Sequence, residues 1–319
     1  MAITLAQAKV DVNTEIQQTV IDAFQRESEF INILPFVNVV VGTTSSGRTT
    51  MSYSWPQVKT PATAAVRDIN EEYTPAVALD ELKTIELAIL GGTYEIDRVI
   101  GLDTDKLGYE ITKQEKSLVK AAVNKFLYLM VNADKTTNPK EKFDGLKLSL
   151  TGTDTAFTST VDVSGDMTEA KAESLINEID KVALVLERDP DVILANKATM
   201  LKIKQAAKKQ GYYSREKNDF GKKVASYGES TMLYPVDTYW NGTASAEIIP
   251  DGTIYMLCLG EDEFTGVTLA DVNLFIQTVL PNFKENAESV RKGMVEMIAG
   301  VALKNTRAAA MVSGITITA

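Results

Sequence analysis

A long amphipathic segment dominates the hydrophobic pattern of this chain. Between residues 103 and 134 apolar residues recur every three or four positions, and no proline or glycine interrupts them after Gly108. The recurring positions are Ile111, Leu118, Ala122, Phe126, Leu129 and Ala133, with an adjoining row at Val119, Val123, Leu127 and Met130. This period predicts a single helix over 103–134, far longer than the average helix of about 11–12 residues.

The polar side of this helix is confined to its early part. It comprises Lys113, Glu115, Lys116, Lys120, Asn124 and Lys125, whereas residues 126–131 are almost wholly apolar. We therefore expect the early part to lie on a surface, with these polar side chains in solvent, and the later part to lie in a core. The apolar run of about six residues is far shorter than the about 20 that a membrane-spanning helix needs.

Two predicted strands before the helix enclose a stretch with little core-forming potential. Met51, Tyr53 and Trp55 alternate with polar residues and predict a half-buried strand that ends at Pro56. After residues 57–81, further apolar positions at Leu82, Ile85, Leu87 and Ile89, and at Tyr94 and Ile96 beyond a break at Gly91-Gly92, predict the returning strand. An isolated hairpin is marginally stable in water, so this long excursion needs a surface to lie on.

A short apolar cluster precedes the hairpin. A loose helical pattern over residues 5–28 leads into the sequence FINILPF, which contains Phe30, Ile31, Leu34 and Phe36. Such a cluster on a segment with little core of its own predicts docking. The pattern leaves two alternatives open, the body of the same subunit or a neighbouring subunit.

The region after the long helix alternates between helix and strand. Asp166 and Glu169 match a capping box, and Leu175, Ile179, Val182 and Leu186 form the predicted buried face of the helix that follows. A buried strand, DVILA, comes next, and Asn196 and Gly211 are the predicted ends of a second helix. From residue 226 onward the chain is rich in strand patterns. The fold class is therefore a mixture of helices and sheets.

Composition limits the range of functions. With 319 residues, 45 % of them hydrophobic, the chain is long enough to bury a large core. Its 33 basic and 43 acidic residues give a net charge of −10, which excludes a general electrostatic attraction to nucleic acid or to anionic membranes. The exception is the basic stretch 202–223, which is either a phosphate-contacting patch or, as we favour, a solvated face that offsets acidic neighbours.

Candidate chemistry is sparse. The chain has no histidine, which excludes Ser-His and Cys-His catalytic pairs and imidazole metal ligands, and the common nucleotide-binding motifs are missing. Cys258, the only cysteine, lies in the apolar run TIYMLCLG and is predicted to be a buried packing residue. The N-terminal sequence lacks a secretory signal, so we expect a cytoplasmic protein. We predict no catalytic residue, no cofactor and no metal site.

The order of these parts resembles that of the major capsid proteins of tailed bacteriophages, which have the Hong Kong phage-type capsid fold. The parts in question are FINILPF, the long hairpin, the uninterrupted helix followed by FDGL, the sequence DPDVILANKATMLKIKQ, and the ending KNTRAAAMVSGIT. The resemblance implies an α+β fold with an N-terminal arm and first strands (1–56), an extended loop (57–100) and a peripheral domain (101–225) that contains a spine helix (103–134). It further implies an axial domain (226–290) and C-terminal strands (291–319) that return to the body.

The same resemblance implies a structural function. Pentamers and hexamers of the chain would close an icosahedral shell around the double-stranded DNA genome of a tailed phage, without sequence-specific DNA binding. Assembly would take place in the host bacterial cytoplasm, with scaffold, portal and decoration proteins as further partners. We expect the apolar cluster (Phe30, Ile31, Leu34, Phe36) and the charged residues Arg67, Asp68, Glu71, Glu72 and Glu86 to make intersubunit contacts, each salt bridge being weak alone. No covalent crosslink is predicted.

Three alternatives remain open from the sequence. An encapsulin-like bacterial nanocompartment shell protein shares the fold and differs in what it encloses. A cytoplasmic α/β enzyme would instead need a buried lysine or glutamate with a perturbed pKa in a deep pocket. A tail or fibre component that forms rings or trimers is the third.

Overall fold

The computed structural model describes residues 29–39, 51–60, 62–73, 75–97, 104–217, 223–228, 231–236, 238–269, 275–279, 281 and 290–317. The helices are α1 (Glu29–Ile33), α2 (Thr104–Asn132), α3 (Leu146–Leu150), α4 (Glu169–Ala183) and α5 (Lys197–Gln210). The first eight strands are β1 (Phe36–Val39), β2 (Ser52–Thr60), β3 (Leu79–Glu86), β4 (Ala88–Asp97), β5 (Ala156–Thr158), β6 (Val192–Asn196), β7 (Tyr213–Lys217) and β8 (Lys223–Tyr227). They are followed by β9 (Thr231–Val236), β10 (Thr238–Trp240), β11 (Ser245–Glu247), β12 (Ile254–Leu257), β13 (Phe264–Leu269), β14 (Phe275–Val279), β15 (Val290–Leu303) and β16 (Ala309–Ser313). The helical pattern noted over residues 5–28 lies outside the described residues.

A five-stranded sheet is built around the long strand β15. Strands β4, β13 and β14 pair with β15 in antiparallel orientation, and β1 pairs with β13 in parallel. The pairing of β4 covers ten residues and runs through Gly91 and Gly92 without the predicted break. At Gly91 a Cβ would collide with the carbonyl of Val295, so this close pairing needs a glycine rather than being interrupted by one.

The long helix α2 packs on this sheet, and its bounds fall within the predicted range 103–134. Val119, Val123, Phe126 and Met130 are completely buried, as the pattern of the later half predicts. Glu115 departs from the prediction, because it is also completely buried instead of lying on the polar side. A helical period assigns a residue to a face but cannot show that a strand covers that face.

A seven-stranded sheet with strand order β5-β16-β12-β6-β9-β8-β7 forms the second layer, and α4 and α5 pack together on one of its faces. The N–H of Thr199 donates to Asn196 Oδ1 at 2.8 Å, and Gly211 has φ 82°, which confirms both predicted ends of α5. Helix α4 is capped by Thr168 and not by Asp166, since Thr168 Oγ1 accepts from the N–H of Lys171.

The predicted face of α4 is confirmed, since Leu175, Ile179 and Val182 are buried against the sheet, as is Leu186 just beyond the helix. Cys258 is a free, buried thiol in the same layer, and burial raises its pKa to about 12. It is the packing residue that the apolar run predicts.

The predicted boundary between residues 225 and 226 falls inside β8 and does not follow the sheets. Strand β6 lies before this boundary, whereas β9 and β12, which both pair with β6, lie after it. Strands β13, β14 and β15 return to the five-stranded sheet, and β16 returns again to the seven-stranded one. The chain crosses between the two sheets several times, so boundaries drawn in sequence order cannot separate them.

An ionic cluster at Arg188 links the two sheets. Its guanidinium donates to Asp191 Oδ1 and Oδ2 at 2.7 and 2.6 Å, and to Glu263 Oε1 and Oε2 at 2.8 and 2.6 Å. Asp191 directly precedes β6 and Glu263 directly precedes β13. One bidentate cation therefore holds together the starts of strands that belong to different sheets.

We expect Arg188→Ala to lower the free energy of unfolding by about 1–3 kcal/mol, because two facing carboxylates lose their shared donor. Arg307→Ala removes an exposed ion pair with Asp154 (3.6 Å) and is the control, with an expected loss of less than about 1 kcal/mol. Urea unfolding followed by circular dichroism measures both. Equal losses in the two variants would contradict a role for Arg188 in joining the sheets.

Candidate assembly surface

The extended hairpin consists of β2 and β3, which pair in antiparallel register from Ser52–Glu86 to Thr60–Leu79. Strand β2 continues through Pro56, where the alternation predicted its end. A two-stranded ribbon leaves one edge of each strand unpaired, and a proline without an N–H is tolerated there. The predicted extended loop 57–100 is divided in the structure, since the hairpin ends at Glu86 and residues 88–97 belong to the five-stranded sheet.

Among the described residues of the hairpin, those at its base pack on the body. Trp55 and Ile85 are buried, the N–H of Leu87 donates to the carbonyl of Met51 at 2.8 Å, and Gln57 Nε2 donates to the carbonyl of Lys304 at 3.1 Å. The apolar positions of the returning strand change phase after Leu87, which buries Leu90 and leaves Ile89 exposed, contrary to the predicted face. The hairpin is therefore attached at one end.

The outer part of the hairpin exposes apolar side chains. We call the segment 62–82 the loop tip. Its exposed apolar residues are Val66, Ile69, Tyr73, Val77, Leu79 and Leu82, and Ile69 is 90 % exposed. Clustered apolar exposure of this kind marks an interaction surface. The sequence analysis selected only charged residues here, although apolar residues in a segment with no core to join were the available signal.

The charged residues of the loop tip are exposed as well. Arg67 Nη1 donates to the carbonyl of Glu71 at 3.0 Å, and Arg67 Cζ lies 5.3 Å from the centre of the Tyr73 ring. The N–H of Asp68 donates to Glu71 Oε2 at 3.4 Å. These contacts form a local turn, and Glu72 is exposed beside it. Intersubunit salt bridges through these residues stay a prediction.

Glu86 lies at the base of the hairpin rather than at its tip. Its carboxylate accepts from Lys142 Nζ at 2.9 Å within the same chain. This exposed ion pair helps to fix the direction in which the hairpin leaves the body. An intersubunit salt bridge of Glu86 also stays a prediction and would have to share the carboxylate with Lys142.

The N-terminal cluster docks on the body of its own chain. Phe30, Ile31 and Leu34 are buried in the core formed with α2 and both sheets, and the ring of Phe30 lies 6.3 Å from that of Tyr234. Phe36 is half-buried against Phe126. Of the two alternatives left open by the pattern, the structure has the intrachain one. Burial leaves Phe30, Ile31 and Leu34 little surface to offer a neighbour, and intersubunit contacts of the cluster stay a prediction.

A cavity of about 390 Å³ lies between the base of the hairpin and the body. Its lining includes Trp55, Lys83, Lys135 and Asp144, and the last two form an ion pair at 3.0 Å. In the part of the chain that the structure describes, no three His, Cys, Asp or Glu side chains are grouped so as to hold a metal ion.

Glu115 is a buried carboxylic acid with a raised pKa, and it is not among the residues that line this cavity. It is packed among Tyr94, Ile96, Ile111 and Leu118, where α2 meets β4. Tyr94 Oη donates to Glu115 Oε1 at 3.2 Å, while Oε2 is buried without a partner. Burial raises the pKa of Glu115 to about 7, and the hydrogen bond from Tyr94 only partly offsets this.

Comparison with known proteins was informative only at the level of structure. No protein-family model matches the chain, and no curated sequence is similar to it. The SrpI encapsulin from Synechococcus elongatus PCC 7942 superimposes with a TM-score of 0.57 at 13 % identity, over 91 % of this chain and 88 % of the encapsulin. A structure from Mycobacterium phage Bobi gives a TM-score of 0.54 at 14 % identity, over 93 % and 90 %.

A third match is the capsid of an empty GTA particle, with a TM-score of 0.55 at 13 % identity over 89 % of this chain and 88 % of that one. The chain has the Hong Kong phage-type capsid fold. This confirms the α+β fold class that the order of the parts implied. Identities this low establish the capsid fold alone. Within the described residues, no helix is both long and apolar enough to cross a membrane.

The burial of Glu115 predicts a pH dependence of stability. Because its pKa is raised from 4.5 to about 7 in the folded chain, the folded state loses stability as the pH rises between these values, by on the order of 3 kcal/mol at pH 8. Glu115→Gln, which resembles the protonated acid, is expected to melt higher than wild type at pH 8 and about equally at pH 4.5.

Glu95→Gln is the matched control, because Glu95 lies on β4 beside Tyr94 and forms an exposed pair with Lys292. It should leave the pH profile unchanged. The measurement is the melting temperature of wild type, Glu115→Gln and Glu95→Gln between pH 4.5 and 8. An E115Q profile parallel to that of wild type would refute the assignment of the pH dependence to Glu115.

Proposed function

We propose that this chain is a structural shell protein that assembles as pentamers and hexamers into a closed icosahedral particle, and that it is not an enzyme. The observation that carries the proposal is the extended hairpin, which is attached to the body only at its base and exposes apolar side chains along its tip. In a monomer these apolar side chains stay in water, so they contribute no burial energy. Neighbours with the same capsid fold include an encapsulin, a virus-like particle from Pyrococcus furiosus and a GTA capsid.

The contacts in such a shell would be many and individually modest. Full burial of one apolar side chain is favourable by about 1.5–3 kcal/mol, and part of this gain is offset by the ordering of the arm and the loss of subunit freedom. Several exposed apolar residues per loop tip are therefore enough to hold one neighbour weakly. Closure of the shell multiplies these contacts over all subunits.

We further propose that the shell is the capsid of a tailed phage, enclosing double-stranded DNA in the virion after assembly in the host bacterial cytoplasm. Scaffold, portal and decoration proteins would be its additional partners. The order of sequence parts supports the phage assignment, and the Mycobacterium phage Bobi match agrees with it. An encapsulin-like compartment is the second candidate, because the SrpI encapsulin superimposes on the chain equally well.

For the domains, we propose a division that follows the sheets. The five-stranded sheet with α2 would form the peripheral domain, and the seven-stranded sheet with α4 and α5 the axial domain. The extended loop would be limited to β2, β3 and the tip between them. Several crossings of the chain between the sheets support this division over the predicted boundaries at 225/226 and 290/291.

The first experiment is to measure the particle size of the purified protein by light scattering and negative-stain imaging. We expect closed particles on the order of tens of nanometres across, or pentamers and hexamers that convert to them. Nucleic acid inside would support the phage assignment, and an enzyme cargo the compartment. A compact monomer that never assembles, even with the products of neighbouring genes, would refute the proposal.

Replacing three apolar residues of the loop tip tests the role of the hairpin. The variant Ile69→Ser/Tyr73→Ser/Val77→Ser should fold with unchanged thermal stability, since these residues are exposed in the monomer, but should fail to form closed particles. Leu148→Ser/Leu184→Ser alters exposed apolar residues elsewhere and is the control. Normal particles from the loop-tip variant would show that the hairpin is not an assembly element.

A further inference from the structure

The sequence left two interpretations open for the basic stretch 202–223, a phosphate-contacting patch or a solvated face that offsets acidic neighbours. Its positive charge is concentrated on α5 and the start of β7, because residues 197–215 contain six basic residues and no acidic one. The long helix is less basic, since residues 104–125 contain five basic and three acidic residues, and Lys113 there pairs with Glu110 at 3.7 Å. Of the two regions, α5 and β7 carry the larger excess of positive charge.

Acidic neighbours do not offset this charge. Within the described residues, four cations of the segment make no ion pair with a carboxylate, namely Lys204, Lys208, Lys209 and Arg215. A groove of about 500 Å³ lies beside them, and Asp166 is the one acidic residue among its described lining, against three lysines. The interpretation as a solvated, charge-balanced face therefore does not account for these cations.

Several of the cations converge on one phenol. Lys208 Nζ lies 5.0 Å from the centre of the Tyr213 ring, and Arg215 Cζ lies 5.7 Å from it. Arg215 Nε also donates to Tyr213 Oη at 2.9 Å. This hydrogen bond and the nearby positive charges, that of Lys204 among them, lower the pKa of Tyr213, which reports a positive potential at its hydroxyl. We call Lys204, Lys208, Tyr213 and Arg215 the cation cluster.

Local structure explains how the cluster forms. Lys204 and Lys208 are one turn apart on α5, and Tyr213 and Arg215 lie on the same face of β7, because alternate residues of a strand share a face. The dipole of α5 favours lysines in its last turn, as at Lys208 and Lys209. It does not explain why Arg215, which belongs to another element, joins them.

The donors that remain in the cluster suit an oxyanion. Arg215 uses its Nε for Tyr213, and within the described residues its two Nη groups and the O–H of Tyr213 have no acceptor. A guanidinium binds phosphate through two parallel N–H groups, and a lysine binds it as a point charge. Like charges that lie close together repel one another, and an anion bound among them removes that repulsion.

The surroundings of the cluster favour a polymer of phosphates over a single small one. Lys208 and Arg215 are exposed, and the cluster is open to solvent. From Lys202 to Lys209 the lysines of α5 extend over about 10 Å of helix axis, and one strand of a duplex carries a phosphate about every 3.4 Å. Acidic residues farther away than about 8 Å are largely screened at physiological salt, so the net charge of the chain does not prevent a local contact.

We propose that the cation cluster binds the phosphate backbone of nucleic acid, with Lys202 and Lys209 beside adjacent phosphates. This inference rests on the proposed function, in which the shell encloses DNA, and it names the surface that contacts the DNA. Contacts to phosphates carry no sequence information, so the binding is independent of base sequence. The basic stretch 202–223 is then a phosphate-contacting patch.

The salt dependence of DNA binding tests the cluster. Unassembled full-length protein, obtained directly or by dissociating particles, is titrated into a fluorescein-labelled DNA duplex at several NaCl concentrations, and fluorescence anisotropy gives the affinity. Each phosphate contact contributes about −0.9 to the slope of log K against log [NaCl], so wild type should give a slope of about −3 or steeper. Lys208→Gln/Arg215→Gln should reduce this slope by about 2 and weaken binding by about tenfold or more at low salt.

Two further variants separate charge from geometry. Lys113→Gln/Lys116→Gln removes the same charge from exposed lysines of the long helix and should leave both the slope and the affinity unchanged. Tyr213→Phe removes the phenolic O–H without a change of charge, so it should weaken binding by about threefold while the slope stays the same. If circular dichroism shows that K208Q/R215Q misfolds, Lys208→Gln takes its place and should reduce the slope by about 1.

The outcomes bear on the inference separately from the proposed function. An unchanged slope in K208Q/R215Q, or an equal loss in K113Q/K116Q, would overturn the inference. Displacement of the duplex by polyglutamate as effectively as by unlabelled duplex would also overturn it and assign the cluster to an acidic protein surface. Absence of wild-type particles would instead count against the proposed function, and the DNA affinities of the unassembled chain would stand.

Discussion

The burial of the apolar half of α2 is the constraint on which the rest of the structure depends. Phe126 and Met130 have no exposed surface, and the core around them combines residues of α1, of the five-stranded sheet and of the seven-stranded sheet. A helix that is apolar on most of its circumference must be covered on more than one side. Strands β4 and β15 of the five-stranded sheet, strand β10 and helix α3 supply that cover. The Arg188 cluster keeps the starts of β6 and β13 together.

The same helix connects the core to the extended hairpin. Its early half meets β4 at Glu115 and Tyr94, and β4 is the direct continuation of β3. Gly293 on β15 leaves room for the Tyr94 ring, because a Cβ at that position would collide with it. A buried carboxyl whose pKa is raised to about 7 therefore lies where the long helix meets the central sheet. Protonation of Glu115 favours the packing of the helix on the sheet.

The apolar residues of the hairpin are exposed to water in a monomer and could be buried only against a neighbour. Its charged and apolar residues are exposed together. Among its described residues, those at the base, beside the cavity, are the ones that pack on the body. The exposed hairpin thus agrees with a protein whose free energy is lowest in contact with other copies of the chain.

The sequence by itself determined the local structure of much of this protein. The period of α2, the ends of α5 at Asn196 and Gly211, the buried strand β6 and the buried Cys258 could all be predicted, because each depends on residues within a few positions of one another. The order of these parts was also enough to predict the capsid fold. In the candidate site, the sequence indicated the hairpin and its exposed charges.

The tertiary structure alone decided which residues meet across the chain. It placed Glu115 in the core, continued β2 through Pro56, docked Phe30, Ile31 and Leu34 on their own subunit, and joined β6 to β9 and β12 across the predicted domain boundary. Each of these outcomes depends on partners far apart in the sequence, from Tyr94 and Glu115, which are 21 positions apart, to Phe30 and Tyr234, which are 204 positions apart. Periodicity assigns a residue to a face, but only the packed chain decides what covers that face.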